Sequence, residues 1–404
     1  MDFNTEKDIA NSLQKYNKQT TIKDNMETKE GQQEKKRLVI ATDCFLPRWD
    51  GVTRFLLEIL PRIREEFHIT VLAPDFKGEK IKIRDIEVIR YPLREMQFGD
   101  IYFSKFMYKE IKQEIEKADI VFSQTIGPIG LCGILAAKKL NKPIVSFIHS
   151  IEWELTTKSV KYLKGFTNIA TKLLTRYLYN KCTLLLVPTQ EVEEKLTVIG
   201  IKTPKEVINL GTDTKRFIPV ENKEAAKKAV GIDPKDKVIG FCGRIGREKD
   251  IGTLYRAFRR VEKKHHNVKL LIVGEGLEEE LFTETRNILH VGKQNNVVPY
   301  LQAMDIYVLP SLTETTSLST LEAMACGIAV IATPVGYVKE YIKERYNGML
   351  FPFKNSLVLS LKINILLENE KLREKIAKNG RKTVEEKFQW IKTAEKIKKI
   401  LKEY

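Results

Sequence analysis

Cysteine is scarce in this chain and never clustered. Cys44, Cys132, Cys182, Cys242 and Cys326 lie singly, an odd number with no C-x-x-C spacing. That pattern excludes a disulfide framework and a zinc ribbon, and leaves reduced, mostly buried thiols as the expected state. Long apolar runs are missing too: no stretch reaches the ~18 residues of a bilayer-crossing helix. The opening residues, MDFNTEKDIANSLQKYNKQ, hold no basic segment followed by an apolar one, so no secretory signal is read and the cytosol is the expected location. No D-x-D occurs and no His or Cys group has metal-ligand spacing, so neither a divalent ion nor another cofactor is expected. The glycines of IVGEG (272–276) are not followed by the rest of a G-x-G-x-x-G dinucleotide fingerprint.

What is present points to a large soluble α/β chain. Its 404 residues exceed the roughly 250–300 at which one hydrophobic core stops growing, so two domains are expected. Apolar residues make up 43% of the chain and charged residues 30%, enough to bury a core and stay soluble. Lys and Arg outnumber Asp and Glu by 69 to 53, a net charge of +16 that favours anionic partners without choosing among nucleotides, acidic lipids and nucleic acid.

Residues 1–36 are polar, rich in Lys, Glu, Gln and Asn, and read as a disordered tail. From Arg37, short apolar runs alternate with amphipathic helical stretches: RLVIAT, HITVLAP, EVIRYP, ADIVFSQ, KPIVSFIH and TLLLVPT. Strand and helix in alternation mean a doubly wound parallel sheet. After a turn-rich interval the alternation restarts with KVIGFCGR, VKLLIVGEG, NILHVGK, DIYVLPS and IAVIATP. The expected fold class is therefore α/β, two doubly wound Rossmann-like domains facing across a cleft. The boundaries fall at 37–212 and 213–388, and 389–404 form a basic amphipathic helix that returns to the first domain. Its apolar positions are Ile391, Ala394, Ile397, Ile400 and Leu401. Such sheets bind ligands at the carboxyl ends of their strands.

The densest signal runs from Pro310 to Gly336, PSLTETTSLSTLEAMACGIAVIATPVG. Hydroxyl residues ahead of Leu318 suit a helix N-cap and Gly327 suits its end. Such an N-terminus offers backbone N–H groups and partial positive charge to a phosphate. Glu322 sits in an otherwise apolar stretch, where a carboxylate needs a partner. A ribose diol or a structural Arg or Lys would each serve.

This stretch resembles the sugar-nucleotide motif of a large retaining glycosyltransferase family that includes phosphatidylinositol mannosyltransferases and sucrose-phosphate synthases. The family reads roughly PS-x-x-E-x-x-G-x-x-x-x-E-A-x-A-x-G-x-P-V. Pro310, Ser311, Glu314, Glu322, Ala323, Ala325, Gly327 and Val330 match, while Ser317 stands for the usual Gly and Ala329 for the usual Pro. The resemblance covers almost all of residues 37–395 and implies the GT-B fold. It places Glu314 against the donor-sugar hydroxyls, Glu322 on the ribose, and the backbone of Thr315, Thr316, Ser317 and Leu318 near the diphosphate.

The same resemblance makes Arg244 and Lys249, in FCGRIGREKDIGTL, ligands of the departing diphosphate. Fixed cations there would stabilise the developing charge. It makes Gly51, in TDCFLPRWDGVTRF, a residue of the phosphate-approach loop, with Asp50 where many members have a second glycine. His149, in SFIHSIEWE at the end of a predicted strand, becomes the histidine that reaches the donor sugar. INLGTDTKRFIP (208–219) resembles the inter-domain hinge, with Asp213 structural.

One further stretch, 159–182, is basic and amphipathic. Leu163, Phe166, Ile169, Leu173, Leu174 and Tyr177 contrast with Lys161, Lys164, Lys172, Arg176 and Lys181. It reads either as a patch that brings the enzyme to a lipid acceptor at an anionic, cytoplasmic membrane face, or as a core-packing helix with a wet side. The implied activity is transfer of a hexosyl group from GDP-mannose or a UDP-hexose to a hydroxyl acceptor, a glycolipid or lipid-linked glycan, with retention. A nucleotide-sugar epimerase, a non-catalytic sensor and a nucleic-acid-binding protein are the rivals. The last lacks interleaved aromatics in a basic groove.

Overall fold

The computed structural model describes residues 35–48, 50–98, 101–153, 164–276, 278–282 and 286–404. The tail as far as residue 34, and residues 159–163 of the basic stretch, lie outside the described residues. The chain divides into two compact units, Met1–Asn209 with Thr393–Tyr404, and Leu210–Lys392.

In the first unit the strands are Lys36–Ala41 (β1), Phe67–Pro74 (β2), Ile86–Tyr91 (β3), Leu93–Phe98 (β4), Ile101–Ser104 (β5), Ile120–Ser123 (β6), Ile144–Phe147 (β7), Leu184–Val187 (β8) and Lys205–Val207 (β9). Seven form one parallel sheet in the order β3-β2-β1-β6-β7-β8-β9. β4 and β5 make a separate antiparallel pair that the periodicity did not announce. β1 pairs on both edges, Leu38 lying opposite Ile69 on one side and Ile120 on the other. The crossover helices of a parallel sheet cover both its faces, so residues 38–41 are buried and read as an apolar run instead of alternating.

The helix Gly51–Ile63 after β1 starts where Asp50 accepts the Thr53 N–H at 2.9 Å. It buries Phe55, Leu56, Ile59, Leu60 and Ile63, each contributing about 1.5–3 kcal/mol when fully buried. The helix Lys164–Tyr179 is placed differently from a core-packing one. Among its described side chains Thr175, Leu178 and Tyr179 are buried, while Ile169, Leu173, Leu174 and Tyr177 face solvent.

The second unit contains Lys237–Cys242 (β10), Val268–Val273 (β11), Ile288–His290 (β12), Ile306–Leu309 (β13), Ala329–Ala332 (β14) and Met349–Leu350 (β15). They form a parallel sheet in the order β12-β11-β10-β13-β14-β15. The helix Ile251–Val261 packs with Ile251, Leu254, Ala257, Phe258 and Val261, an i, i+3, i+6, i+7, i+10 stripe, and all five are buried.

The last helix, Trp390–Glu403, has its terminal residues in the first unit. Lys402 reaches Glu66 at 2.8 Å and Lys36 donates to the Lys402 carbonyl at 2.9 Å. Ala394, Ile397, Ile400 and Leu401 are buried, but Ile391 is exposed, one position off the stripe read from the sequence.

In both sheets the winding reverses beside the first strand, between β1 and β6 and between β10 and β13. Open α/β sheets bind ligands at such switch points, outside the strand carboxyl ends. The segments there are Thr42–Gly51 and Gln124–Gly127 in one unit, and Gly243–Lys249 and Pro310–Ser317 in the other.

Candidate active site

The second unit's switch point is built around one ion pair. The turn Arg247–Lys249 ends at Asp250, whose φ of +46° closes it and starts the next helix. Lys249 Nζ donates to Glu314 Oε1 at 2.5 Å, and Ser311 Oγ donates to the same oxygen at 2.9 Å. The two loops are further joined by the Leu312 N–H on the Glu248 carbonyl at 2.7 Å. Two of the expected diphosphate and sugar residues are thus brought together, and charge assistance makes their contact a strong one. Arg244 is placed differently: its exposed guanidinium meets Glu248 Oε1 at 2.7 Å.

The loop Thr315–Ser317 is held from behind by its own carbonyls. Thr315 O accepts the Tyr337 N–H at 2.8 Å, and Thr316 O accepts the Tyr341 hydroxyl at 3.0 Å. In a trans peptide the N–H points opposite to the C=O. The amides of Thr316 and Ser317 are therefore aimed away from Tyr337 and Tyr341. The Thr316 hydroxyl oxygen is buried without a hydrogen-bond partner, an arrangement proteins seldom leave standing outside binding sites.

Ser317 precedes the helix Leu318–Ala325 with φ +58°, and its side chain makes no capping bond. The sequence-based N-cap expectation is corrected here: Ser317 Oγ pairs with Thr320 Oγ1 at 2.8 Å instead. A left-handed backbone is also the physical reason a glycine suits this position. The helix ends as expected, at Gly327 with φ +66°. Glu322 is 3% exposed on that helix, and buried Tyr307 donates to Ser319 Oγ at 2.9 Å, fixing the helix start over β13.

Two glycines explain close approaches. A Cβ on Gly274 would lie 1.9 Å from the Gly243 carbonyl, and one on Gly336 would lie 2.1 Å from the Glu314 carbonyl. IVGEG is therefore a packing device that seats the Gly243–Ile245 loop: the Ile245 N–H donates to the Glu275 carbonyl at 2.9 Å.

In the first unit, His149 follows β7 and is wedged between Phe55 and Phe147, with ring centroids 4.8 and 4.7 Å away. Burial lowers its pKa to about 3, so the ring is neutral near pH 7. Its Nε2 lies 3.0 Å from Gln124 Oε1. A carbonyl oxygen only accepts, so Nε2 carries the proton and Nδ1 is the acceptor. Gly51 is the first residue of its helix, with ordinary φ and open space where a Cβ would be. Asp50 occupies the family's second-glycine position because the helix uses its carboxylate as a cap.

Residues 222–383 match the family described as glycosyl transferases group 1, and residues 49–216 match Glycosyltransferase Family 4. The chain belongs to the group 1/family 4 glycosyltransferases. An alpha-monoglucosyldiacylglycerol synthase of Streptococcus pneumoniae is 25% identical over 376 residues, covering 87% of this chain and 85% of that protein. A GDP-mannose-dependent alpha-mannosyltransferase of Corynebacterium glutamicum is 25% identical over 334 residues, 80% of this chain and 78% of that one. Among solved structures, Anabaena Alr3699/HepE in complex with UDP and glucose superposes with a TM-score of 0.73 at 17% identity, over 91% of this chain and 100% of that one. WaaG, a glycosyltransferase involved in lipopolysaccharide biosynthesis, gives 0.70 at 18% identity over 90% and 99%. At such identity the structures show the fold alone: this glycosyltransferase has two Rossmann-like units of the GT-B type.

Three polar residues of the glycosyltransferase escaped the sequence reading. Asp43, after β1, accepts Thr125 Oγ1 at 2.5 Å and the Ile129 and Gly130 amides at 2.9 and 3.1 Å, capping the helix Pro128–Lys139 from another loop. Burial raises its pKa, and those three bonds oppose the rise. Gln124 is buried with its side-chain nitrogen unpartnered. Glu152 accepts the Tyr179 hydroxyl at 2.5 Å through Oε1, while its Oε2 is buried without a partner. Burial raises its pKa to about 7. The signal for all three was position, at or just beyond the end of a predicted strand. Among the described residues no group of three or more His, Cys, Asp and Glu is arranged to hold a metal ion.

Proposed function

We propose that this glycosyltransferase moves a hexosyl group from a nucleoside-diphosphate sugar, GDP-mannose or a UDP-hexose, to a hydroxyl of a glycolipid or lipid-linked glycan, with retention of configuration. The observation that carries the donor assignment is the loop Thr315–Ser317, whose Thr315 and Thr316 carbonyls are held by Tyr337 and Tyr341, so that the Thr316 and Ser317 amides point away from those residues on the loop that carries Glu314 of the Lys249–Glu314 pair. Amides left unused by the carbonyl contacts at a helix N-terminus suit a diphosphate.

In this reading Lys249 releases Glu314 to the sugar hydroxyls and turns to the leaving diphosphate, so each charged partner gains a ligand contact when the pair separates. Arg244, exposed and paired with Glu248, adds a second cation. Glu322 accepts from the ribose hydroxyls. Gly51 leaves room for close backbone approach, and neutral His149 hydrogen-bonds the donor sugar. Catalysis would come from positioning and charge stabilisation, with no metal and no protein nucleophile. The glycolipid-synthesising relative supports a lipid acceptor, and in this reading the protein works at a cytoplasmic membrane face.

The test is thermal protection by a panel of nucleotide-sugars, including GDP-mannose, UDP-glucose and UDP-GlcNAc. One donor should raise the unfolding temperature by mass action, and Glu322→Gln should abolish that rise. No protection by any donor, or full protection of the Glu322 variant, would reject the assignment.

A further inference from the structure

The helix Lys164–Tyr179 carries an apolar stripe that the fold does not use. Ile169, Leu173 and Tyr177, spaced i, i+4, i+8, are 61%, 61% and 56% exposed, and Leu174 beside them faces water as well. Three large apolar side chains in one exposed row exceed the scattered singles that a surface normally carries. The same helix anchors itself through other residues: Thr175, Leu178 and Tyr179 are buried, and the Thr203 hydroxyl donates to the Tyr179 carbonyl at 2.7 Å. The stripe is therefore not needed to hold the helix in place.

The charge along the segment has one sign. Between Glu154 and Glu191 the sequence contains no acidic residue, and among the described side chains there Lys172, Arg176 and Lys181 are basic. Lys181 Nζ sits over the Tyr177 ring at 4.2 Å, and Lys172 Nζ lies 6.0 Å from the Trp153 ring. A depression of about 400 Å³ lies at the end of the stripe, lined by Leu173, Arg176, Tyr177, Asn180 and Lys181. Two cations, an amide and two apolar side chains around a shallow hollow match a lipid phosphate with the top of its acyl chains.

We propose that this helix face is the docking surface for a bilayer containing anionic lipid, with the stripe entering the head-group boundary and Arg176 and Lys181 binding lipid phosphates. The proposal rests on the reading of a lipid acceptor and gives it a place on the molecule. A second copy of the chain fits the surface poorly, because a two-fold contact would set Arg176 and Lys181 against the same two cations of the other copy. Nucleic acid would satisfy the cations but not three exposed aliphatic and aromatic side chains in a row.

The full chain is sedimented with vesicles of phosphatidylcholine alone and of equal parts phosphatidylcholine and phosphatidylglycerol. Binding is expected only to the second, and it should weaken as salt is added. I169Q/L173Q/Y177Q should lower the partition coefficient at least tenfold. R176Q/K181Q should lower it roughly 25-fold, about fivefold per cation. Four of these side chains are exposed and Lys181 is half-buried, so both variants should keep the wild-type unfolding temperature and its protection by the donor.

Should a variant fold poorly, Y177W provides an independent reading: its added tryptophan emission should shift to the blue with anionic vesicles and not with neutral ones. Unchanged partitioning of both variants, a Y177W signal blind to anionic vesicles, or loss of the stripe from solvent through self-association would each overturn the proposal. If the wild type ignores vesicles yet is protected by a nucleotide-sugar, the surface is wrong and the glycosyltransferase donor site stands. If it binds vesicles and no donor protects it, the surface stands and the donor assignment fails.

Discussion

Replacing Glu152 by Gln should make the protein more stable at neutral pH and leave it unchanged in acid. The carboxyl lies in a place that disfavours charge: Oε2 is buried without a partner, and only the Tyr179 hydroxyl serves Oε1. Burial therefore lifts its pKa from the ordinary 4.5 to about 7. A raised carboxyl pKa favours the folded state while the group stays protonated. That contribution is complete below pH 4.5 and is lost as pH climbs through 7.

At 1.36 kcal/mol per pH unit, the gap from 4.5 to about 7 amounts to at most about 3 kcal/mol. Gln mimics the protonated acid and still accepts the Tyr179 hydroxyl, so its stability should not carry this pH term. His149 has the opposite sign: its depressed pKa stabilises the fold above pH 6.5 and that stability is lost as pH falls toward 3. Between about 4.5 and 6.5 the two groups offset one another in the wild type. The assay is urea unfolding of both proteins at half-unit steps from acid to mildly alkaline pH. The difference in unfolding free energy should open from near zero to about 3 kcal/mol in favour of E152Q. A difference that stays flat with pH, or that favours the wild type at high pH, would refute the reasoning.

Lys249→Ala should lower turnover on the order of 10²–10³-fold through the lost leaving-group cation, and cost about 1–3 kcal/mol of stability by stranding Glu314. The double variant K249A/E314Q should recover stability in thermal unfolding but not turnover; recovered turnover would remove Lys249 from the reaction. Gly336→Ala would place a Cβ 2.1 Å from the Glu314 carbonyl at a φ of +50°, so donor affinity measured by thermal protection should fall with little change in the unliganded secondary structure. Unaltered affinity would show that the Thr315–Ser317 loop does not hold the donor. At Ser317, with φ +58°, Gly should exceed Ala in stability by about 1 kcal/mol, since both lose the Thr320 contact but only Ala keeps the left-handed strain.

Much of the site was legible before the fold was. The fixed spacing of Glu314, Glu322 and Gly327, the strand preceding them, and His149 at a strand end are local facts, and local facts survive folding. What could not be read was which residues face each other across sequence gaps. Asp43 gains meaning only because Thr125 and the Ile129 and Gly130 amides arrive from a distant loop. Glu152 is held protonated up to about pH 7 only because the packing around it excludes water, against the opposing hydrogen bond from Tyr179. The antiparallel pair β4–β5 escaped because its segments are short and mixed in polarity.

The exposed stripe on Lys164–Tyr179 makes the division plainest. Sequence determined that the helix would be amphipathic and basic, since periodicity and charge are properties of the chain alone. It also determined the two α/β halves, through the alternation of buried strands with helices, and the fixed spacing of Glu314 and Glu322 that the donor proposal starts from. Only the tertiary structure decided which face of that helix met the core. Burial is settled by which neighbouring surface is available, and Thr175, Leu178 and Tyr179 were chosen over a larger apolar row. The same holds for the Lys249–Glu314 pair: each residue was legible separately, but their 2.5 Å contact depends on two loops meeting at the sheet's switch point, a geometry written in strand order and not in either segment.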